Sequence, residues 1–201
     1  RKCQWECVGK VESQLKRRKY AAMVVEPRVQ GAAGMVMHPE GWLKRVSQAV
    51  RASGALLIAD EVITAFGRTG EVFAGRKEKV VPDFLCLAKG LTGGYLPMAA
   101  TLTTQSVYNV FLGKYEEFKT FFHGHSYTGN QLGAAAALAS WELLHQPKAK
   151  VRRKSMERVL ARELDSLWAL AAVGDVRREG LVAGVELVAD WKTRRAFALK
   201  D

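Results

Sequence analysis

Two short apolar runs that each end in a charged residue constrain the fold of this chain most strongly. Leu56–Ala59 is followed by Asp60, and Phe84–Ala88 is followed by Lys89. Continuous apolar runs of this length are typical of parallel strands that are covered on both faces. Ligands bind beyond the carboxyl ends of the strands in open α/β sheets. Asp60 and Lys89 are therefore predicted to lie in the same crevice.

The segments before Asp60 have the order of a βαβ unit. Ala21–Val25 is predicted to be a strand, Trp42–Ala52 a helix, and Ala55–Ala59 the next strand, with a glycine-containing loop after the first strand. Strands joined by a crossover helix pair in parallel. The prediction is an α/β fold with a mostly parallel sheet and flanking helices.

The second half of the chain changes character after Gly174. A pair of antiparallel strands there indicates a second, smaller α+β domain. We expect residues 1–150 to form part of a large domain and residues 151–201 to begin a small C-terminal domain. The other predicted elements are helices over Val11–Lys19, Thr104–Phe111, Gly129–Leu144 and Lys148–Ala171, and strands over Met98–Thr103, Asp175–Glu179 and Leu181–Val188.

The formal net charge of +11 raises the question of an anionic partner. Much of the charge lies in two runs, Lys16–Lys19 and Lys148–Arg153. Aromatic residues do not interleave with these runs, and no groove-reading motif accompanies them. We favour solvated helix ends, where basic residues late in a helix suit its dipole, and expect neither nucleic acid nor membrane as a partner. A nucleic-acid-binding module stays a competing hypothesis.

The apolar and cysteine patterns bear on the compartment and on metal binding. No apolar run has the length needed to cross a bilayer, and Arg1-Lys2-Cys3 is not followed by a signal-peptide core. The three cysteines do not form a disulfide framework. Cys3 and Cys7 lack a second ligand pair, so no metal site is expected. These patterns favour a cytoplasmic protein.

A carboxylate and an amine in one crevice are the two protein groups that pyridoxal phosphate (PLP) needs. The lysine forms a Schiff base with the cofactor, and the acid pairs with the pyridinium nitrogen. A free lysine is protonated at neutral pH and cannot attack a carbonyl, so Lys89 would need a dry pocket that frees its lone pair. Taken singly, Lys89 could be a surface residue and Asp60 a helix cap, but their pairing favours a PLP site.

Several motifs resemble those of class III (fold type I) aminotransferases. Ala99–Thr104 and the segment His123–Gly133, similar to a phosphate-binding segment, most resemble the biotin-pathway branch of that family. The resemblance implies PLP-dependent amino transfer to 7-keto-8-aminopelargonate, giving 7,8-diaminopelargonate, with S-adenosylmethionine or lysine as donor. The other matching motifs are Glu26-Pro27 with Gln30-Gly31, Ala59-Asp60-Glu61-Val62, Phe66-Gly67-Arg68-Thr69-Gly70 and Leu87–Gly94.

Two alternatives to that activity stay open. One is another class III aminotransferase that acts on an ω-amino acid or a diamine. The other is a non-catalytic fragment that is kept for dimerisation or binding.

The resemblance also implies how the cofactor is held. Lys89 is the catalytic residue that bonds to the cofactor, and Asp60 keeps the ring nitrogen protonated. Val62 packs against one ring face, and Gln30 reaches the phenolic oxygen. Ser126 donates its hydroxyl to the phosphate, helped by backbone N–H groups near the start of the helix that follows.

Other residues are expected beside the substrate. Gly124 resembles a backbone position that contacts substrate, and Arg68 is expected near the pocket, oriented by Glu26. His125 is either adjacent to the cofactor or a plain loop residue. Glu61 is expected to point to the opposite face and to be structural.

The family pattern continues past both ends of this chain. A Gly-Ser phosphate loop and a ring-stacking aromatic residue are expected upstream of Arg1, and a carboxylate-binding arginine beyond Asp201. We therefore expect a central fragment, truncated at both ends. In the family the Ser126 segment comes from the neighbouring subunit, which implies a homodimer.

Overall fold

A computed structural model describes residues 3–198 of the chain. Helices and strands alternate over most of its length, and short 3-10 turns over Ala74–Glu78, Lys89–Thr92, Tyr115–Glu117 and Leu167–Ala169 lie between them. In chain order the elements are α1 (Glu6–Arg17), β1 (Ala22–Val25), β2 (Val29–Gln30), β3 (Val36–Met37), α2 (Trp42–Ser53), β4 (Leu56–Asp60), β5 (Phe84–Leu87), β6 (Ala100–Thr103), α3 (Gln105–Asn109), α4 (Gln131–His145), α5 (Pro147–Ser166), β7 (Val173–Glu179) and β8 (Val182–Leu187).

The main sheet has four strands in the order β1-β4-β5-β6. β1 pairs with β4 in parallel, and β4 pairs with β5 in parallel. β6 runs antiparallel to β5, so the sheet is mixed at this edge. The predicted α/β fold with a mostly parallel sheet is confirmed.

The hydrophobic core lies between one face of the sheet and the helices α1 and α2. Val25, Leu43, Val46 and Leu57 are buried there. α2 ends at Gly54, whose φ of 76° is the left-handed conformation that glycine adopts at low cost. Both helices pack on the same face. On the other face, among the described residues, Val24 is 63% exposed, whereas Ile58 and Phe84 are partly buried.

Several predicted boundaries shift for local reasons. α1 begins at Glu6 rather than Val11, because its first turn packs on α2: Val8 is buried, and the Trp42 indole N–H donates to Cys7 Sγ at 3.2 Å. α5 ends at Ser166, where the chain tightens into a 3-10 turn. The predicted loop after β1 contains the short antiparallel pair β2–β3.

One basic run lies at the C-terminal end of a helix and the other in the N-terminal half of a helix. Lys16 and Arg17 lie in the last turn of α1, where the helix dipole favours them. α5 begins at Pro147, so the second run lies in its N-terminal half, and the dipole argument is wrong there. Arg153 of this run instead donates to Leu144 O at 2.9 Å, at the C-terminal end of α4. Within residues 3–198, no helix is both long and apolar enough to cross a membrane.

The antiparallel pair β7–β8 confirms the two predicted strands after Gly174. The turn between the strands lies on the Arg68 loop, where Leu181 N donates to Arg68 O at 2.7 Å. Arg28 forms an ion pair with Glu179 at 2.9 Å, which also links the hairpin to the large sheet. The domain division at residue 150 stays a prediction. The first two residues of the large domain (1–2) and the last three of the small domain (199–201) lie outside the described range.

Candidate active site

Asp60 and Lys89 lie at the carboxyl ends of neighbouring parallel strands. Asp60 is the last residue of β4 and pairs with Cys86 of β5. Lys89 follows β5 after one intervening residue. Both residues therefore stand at the same edge of the sheet.

Lys89 opens onto a cleft with a volume of about 1200 Å³. Its backbone has a φ of 49°, and the side chain is exposed. His125 lines the same cleft, as do Asn130 and Gln131 at the start of α4. The structure therefore brings Lys89 and His125 together. Residues 3–198 do not provide the dry surroundings that were expected for Lys89. The cleft is lined by two segments, 88–99 and 125–132, and they leave the Lys89 side chain exposed.

The start of α4 offers a site for an anion in this cleft. Asn130 caps the helix, since its Oδ1 accepts the Gly133 N–H at 2.8 Å. The N–H groups of a first helical turn have no partner within the helix, and the dipole favours negative charge. Ser126 and Gly124 lie exposed on the preceding loop but do not line the cleft.

Asp60 lies in a second, smaller hollow of about 410 Å³. Gln30 and Glu26 line this hollow with it, so the structure brings Asp60 and Gln30 together. Asp60 Oδ1 accepts the Val62 N–H at 3.1 Å, which holds Val62 directly beside the carboxylate. The two hollows do not share a lining residue, so the expectation that Asp60 and Lys89 lie in one crevice stays a prediction.

The predicted contact between Glu26 and Arg68 is wrong. Glu26 Oε2 instead accepts the Gly31 N–H at 2.9 Å and so holds the loop that carries Gln30. Arg68 Nη1 lies 3.5 Å from Ile63 O, in a turn that is fixed by the β7–β8 hairpin. Arg68 lines neither hollow.

Glu61 lies on the opposite face from Asp60, as the alternation of side chains along a strand predicts. Its side chain is buried, and its two oxygens accept the N–H groups of Ala74 at 2.6 Å and Gly75 at 2.9 Å. Burial raises the pKa of Glu61, and these two hydrogen bonds only partly oppose that shift. Glu61 is structural: it holds the 3-10 turn that follows β4.

The chemistry of Lys89 and Asp60 fits PLP. An amine at Lys89 matches the aldehyde, and a carboxylate at Asp60 matches the ring nitrogen. Within residues 3–198, no group of three or more His, Cys, Asp or Glu side chains could hold a metal ion.

Sequence reasoning missed three residues around the Lys89 turn. Asn130 could have been found, because an asparagine directly before an apolar helical segment is an N-cap signal. Phe66 and Ser140 both contact Gly90, next to Lys89. Phe66 stands inside a recognised motif, but nothing local to it indicates a contact with Gly90.

Comparison with known proteins gives one consistent result. Residues 1–200 match the family described as Aminotransferase class-III. The chain is 50% identical over 198 residues to the adenosylmethionine-8-amino-7-oxononanoate aminotransferase of Nitratidesulfovibrio vulgaris. The matched region covers 97% of this chain and 36% of that protein.

Solved structures agree in fold. The crystal structure of the Methanocaldococcus jannaschii adenosylmethionine-8-amino-7-oxononanoate aminotransferase has a TM-score of 0.93 and 40% identity, over 97% of this chain and 46% of that one. A Thermomicrobium roseum (S)-enantioselective omega-transaminase has a TM-score of 0.86 and 33% identity, over 96% of this chain and 43% of that one. The chain thus spans less than half the length of these proteins. It belongs to the class III aminotransferase family, whose members depend on PLP.

Proposed function

We propose that this chain carries the catalytic lysine of a PLP-dependent aminotransferase of biotin biosynthesis. The enzyme converts 7-keto-8-aminopelargonate to 7,8-diaminopelargonate and takes the amino group from S-adenosylmethionine or from lysine. The observation that carries the proposal is the placement of Lys89 and Asp60 at the ends of adjacent parallel strands. The similarity to the adenosylmethionine-8-amino-7-oxononanoate aminotransferase of N. vulgaris supports the choice of substrate.

The proposed work of the protein is divided between a base and a charge partner. Lys89 Nζ holds the cofactor at its aldehyde carbon and then moves a proton at the amino-bearing carbon of the substrate. Asp60 accepts a hydrogen bond from the ring nitrogen and keeps it protonated. Bound PLP supplies an electron-withdrawing ring that stabilises negative charge at that substrate carbon.

The remaining residues of the proposed site orient the cofactor and the substrate. Val62 packs against the ring, Gln30 donates to its phenolic oxygen, and His125 lies beside it at the cleft wall. Their support is the grouping of Gln30 and Val62 with Asp60, and of His125 with Lys89.

Phosphate binding and substrate contact fall to the loop before α4 and to the Arg68 turn. Ser126 donates its hydroxyl to the phosphate of the cofactor that the second copy of the chain holds, Gly124 contacts the substrate through its backbone, and Arg68 lies near the substrate. These three roles rest on the motif resemblance.

A second candidate is an ω-amino acid or diamine aminotransferase. The likeness to the T. roseum omega-transaminase favours it, because that structure matches nearly the whole chain. The two candidates share Lys89 and Asp60 and differ only in the amino donor and acceptor.

The test uses the full-length protein with PLP and 7-keto-8-aminopelargonate, with S-adenosylmethionine or lysine as donor. We expect 7,8-diaminopelargonate from the wild type, and a rate lower by about a hundredfold or more in Lys89→Ala. Lys10→Ala, which removes an exposed lysine from α1, should leave the rate unchanged.

Other outcomes would redirect the assignment. Turnover only with ω-amino acids or diamines would favour the second candidate. A wild type that gains no visible absorbance band with PLP would be a non-catalytic protein. Steeply salt-dependent retention on DNA or RNA would instead favour the nucleic-acid hypothesis.

The proposed partner is a second copy of the chain. Large apolar side chains between β6 and the end of α4 are exposed: Tyr115 is 87% and Phe122 86% exposed, and Leu132 and Leu138 on α4 are also uncovered. Exposed apolar side chains of this size favour an interaction surface. Light scattering of the full-length protein should give twice the chain mass, and a monomeric mass would contradict the dimer.

A cytoplasmic location is part of the same proposal and can be checked by cell fractionation.

A further inference from the structure

The proposed catalytic lysine and a nearby phenylalanine both have a left-handed backbone conformation. Lys89 has a φ of 49° and Phe66 a φ of 59°. This conformation is unfavourable for a residue with a β-carbon. Such residues persist only where the surrounding structure holds them, and they cluster at functional sites. The contacts that hold Lys89 in this conformation therefore bear on its function.

Phe66 packs directly on the residue after Lys89. A β-carbon placed on Gly90 would lie 2.9 Å from Phe66 Cδ2 and 3.0 Å from Phe66 Cβ. Contacts this short would force the aromatic side chain to move. Gly90 does not have a positive φ. Its missing side chain is therefore needed for the close approach of Phe66 and not for backbone freedom.

The same turn is held from a second side by α4. Ser140 Oγ donates to Gly90 O at 3.3 Å. Within the turn, Leu91 N donates to Ala88 O and Gly93 N donates to Gly90 O, each at 3.1 Å. The backbone around Lys89 thus lies between the Phe66 ring and a helix.

Phe66 is itself fixed by its neighbours. Its N–H donates to Val72 O at 2.6 Å. Its ring meets Phe73 edge-on at 6.3 Å between centroids, and Phe73 stacks with Trp141 of α4 at 6.1 Å. This row of aromatic rings ends on the helix that also carries Ser140. Loss of the Phe66 ring would remove one wall of the lysine turn and leave the other in place.

We propose that Phe66 is a positioning residue for Lys89. It holds the Gly90 peptide against α4, keeps the turn in its left-handed conformation and so sets the direction in which Lys89 Nζ enters the cleft. The proposal rests on the proposed function for the role of Lys89 itself. Misplacement of a reacting group by about 1 Å can cost about a hundredfold in rate, so a loosened turn should slow the reaction of the amine.

The test compares Phe66→Ala, Phe66→Leu and Gly90→Ala in the full-length protein. Val50→Ala is the control, because it removes buried volume from the core between α2 and the sheet without touching the lysine turn. The first measurement is amide hydrogen exchange of residues 89–93 in the cofactor-free protein. We expect exchange to be about tenfold faster or more in Phe66→Ala and Gly90→Ala, partly restored in Phe66→Leu, and unchanged in Val50→Ala.

The second measurement is the rate at which PLP attaches to Lys89. The bond is trapped with borohydride, and the modified peptide is quantified by mass spectrometry. We expect the rate to fall by about 10- to 100-fold in Phe66→Ala, with recovery in Phe66→Leu and no change in Val50→Ala.

The two measurements separate failure of this inference from failure of the proposed function. Unchanged exchange in Phe66→Ala, or faster exchange with an unchanged attachment rate, would overturn the positioning role. A wild type that never attaches PLP would overturn the proposed function, and the exchange experiment would then decide alone whether Phe66 holds the turn.

Discussion

Asp60 and Glu61 are neighbours with the same chemistry in opposite surroundings. Asp60 faces a hollow at the carboxyl end of the sheet, whereas Glu61 is 1% exposed and accepts two backbone N–H groups. The alternation of side chains at the strand end separates the two carboxylates. The carboxylate of Asp60 is therefore placed where a ligand could contact it, whereas the carboxylate of Glu61 binds the backbone of the 3-10 turn after β4.

Replacing Glu61 with Gln should lower the free energy of unfolding near pH 4 by about 1–3 kcal/mol, because the amide nitrogen of Gln cannot accept the second N–H group. Since its folded pKa is raised above the ordinary 4.5, the contribution of Glu61 to stability is full below that pH and is lost as the pH rises through the folded pKa. The Gln variant does not lose stability in this way, because the side chain of glutamine does not titrate. Urea unfolding should therefore show a larger difference near pH 4 than near pH 7.

Glu71→Gln is the matched control for this experiment, because Glu71 is exposed. It should change the unfolding free energy by less than about 0.5 kcal/mol. A pH dependence of Glu61→Gln equal to that of the wild type would contradict the raised pKa.

At the scale of elements, α4 connects the cleft to the exposed surface. Its first turn lines the cleft with Lys89, and Ser140 further along holds the Lys89 turn. Most of its apolar side chains are exposed, and only Gly133 is buried. A helix with so little burial depends more than most on its end contacts.

Replacing Asn130 with Ala should destabilise α4 by about 1 kcal/mol, because the Gly133 N–H loses its partner. Amide exchange at Gly133 and Ala134 should become faster by about fivefold. Asn130→Ser restores an oxygen acceptor and should recover most of the protection. Exchange in the Ala variant that matches the wild type would show that the cap contributes nothing.

At the scale of the whole molecule, Glu179 fastens the β7–β8 hairpin to the large sheet. Glu179 forms ion pairs with Arg28 and with Lys77, and Arg28 also forms an ion pair with Glu78. Burial alone would raise the pKa of Glu179, but the hydrogen bonds and charges of Arg28 and Lys77 outweigh burial and lower it. Its contribution to stability is therefore present above the ordinary value of 4.5 and is lost as the pH falls through the folded pKa.

Glu179→Gln should lower the unfolding free energy by about 2 kcal/mol at pH 7, because Arg28 keeps Glu78 but loses its second carboxylate. The effect should shrink as the pH drops below 4.5. Glu163→Gln removes the exposed pair with Arg162 and should cost less than about 0.5 kcal/mol. An equal cost for both variants would show that the buried network adds nothing.

Several elements were predictable because their signals are local. The βαβ unit followed from apolar runs and a helical period between them, and Gly54 marked the end of α2. The pairing of β7 with β8 followed from two strands around Gly180. The positions of Lys89 and Asp60 at the strand ends were predictable, because they depend only on where their strands end.

Other features could not be read from any local pattern. The Arg68 loop is held by the β7–β8 turn, which comes more than a hundred residues later in the chain. The burial of one face of the sheet depends on where α1 and α2 pack. The early start of α1 depends on Trp42, which its first turn contacts.

The sequence by itself determined the α/β class, the order of the main elements, the family and the two charged residues at the strand ends. These follow from side-chain period, chain-breaking residues and motifs, all of which act between near neighbours. Only the tertiary structure decided that Phe66 and Ser140 enclose the turn of Lys89, and that Asp60 and Lys89 open into separate hollows. Such contacts join distant segments, and they depend on how finished elements pack together.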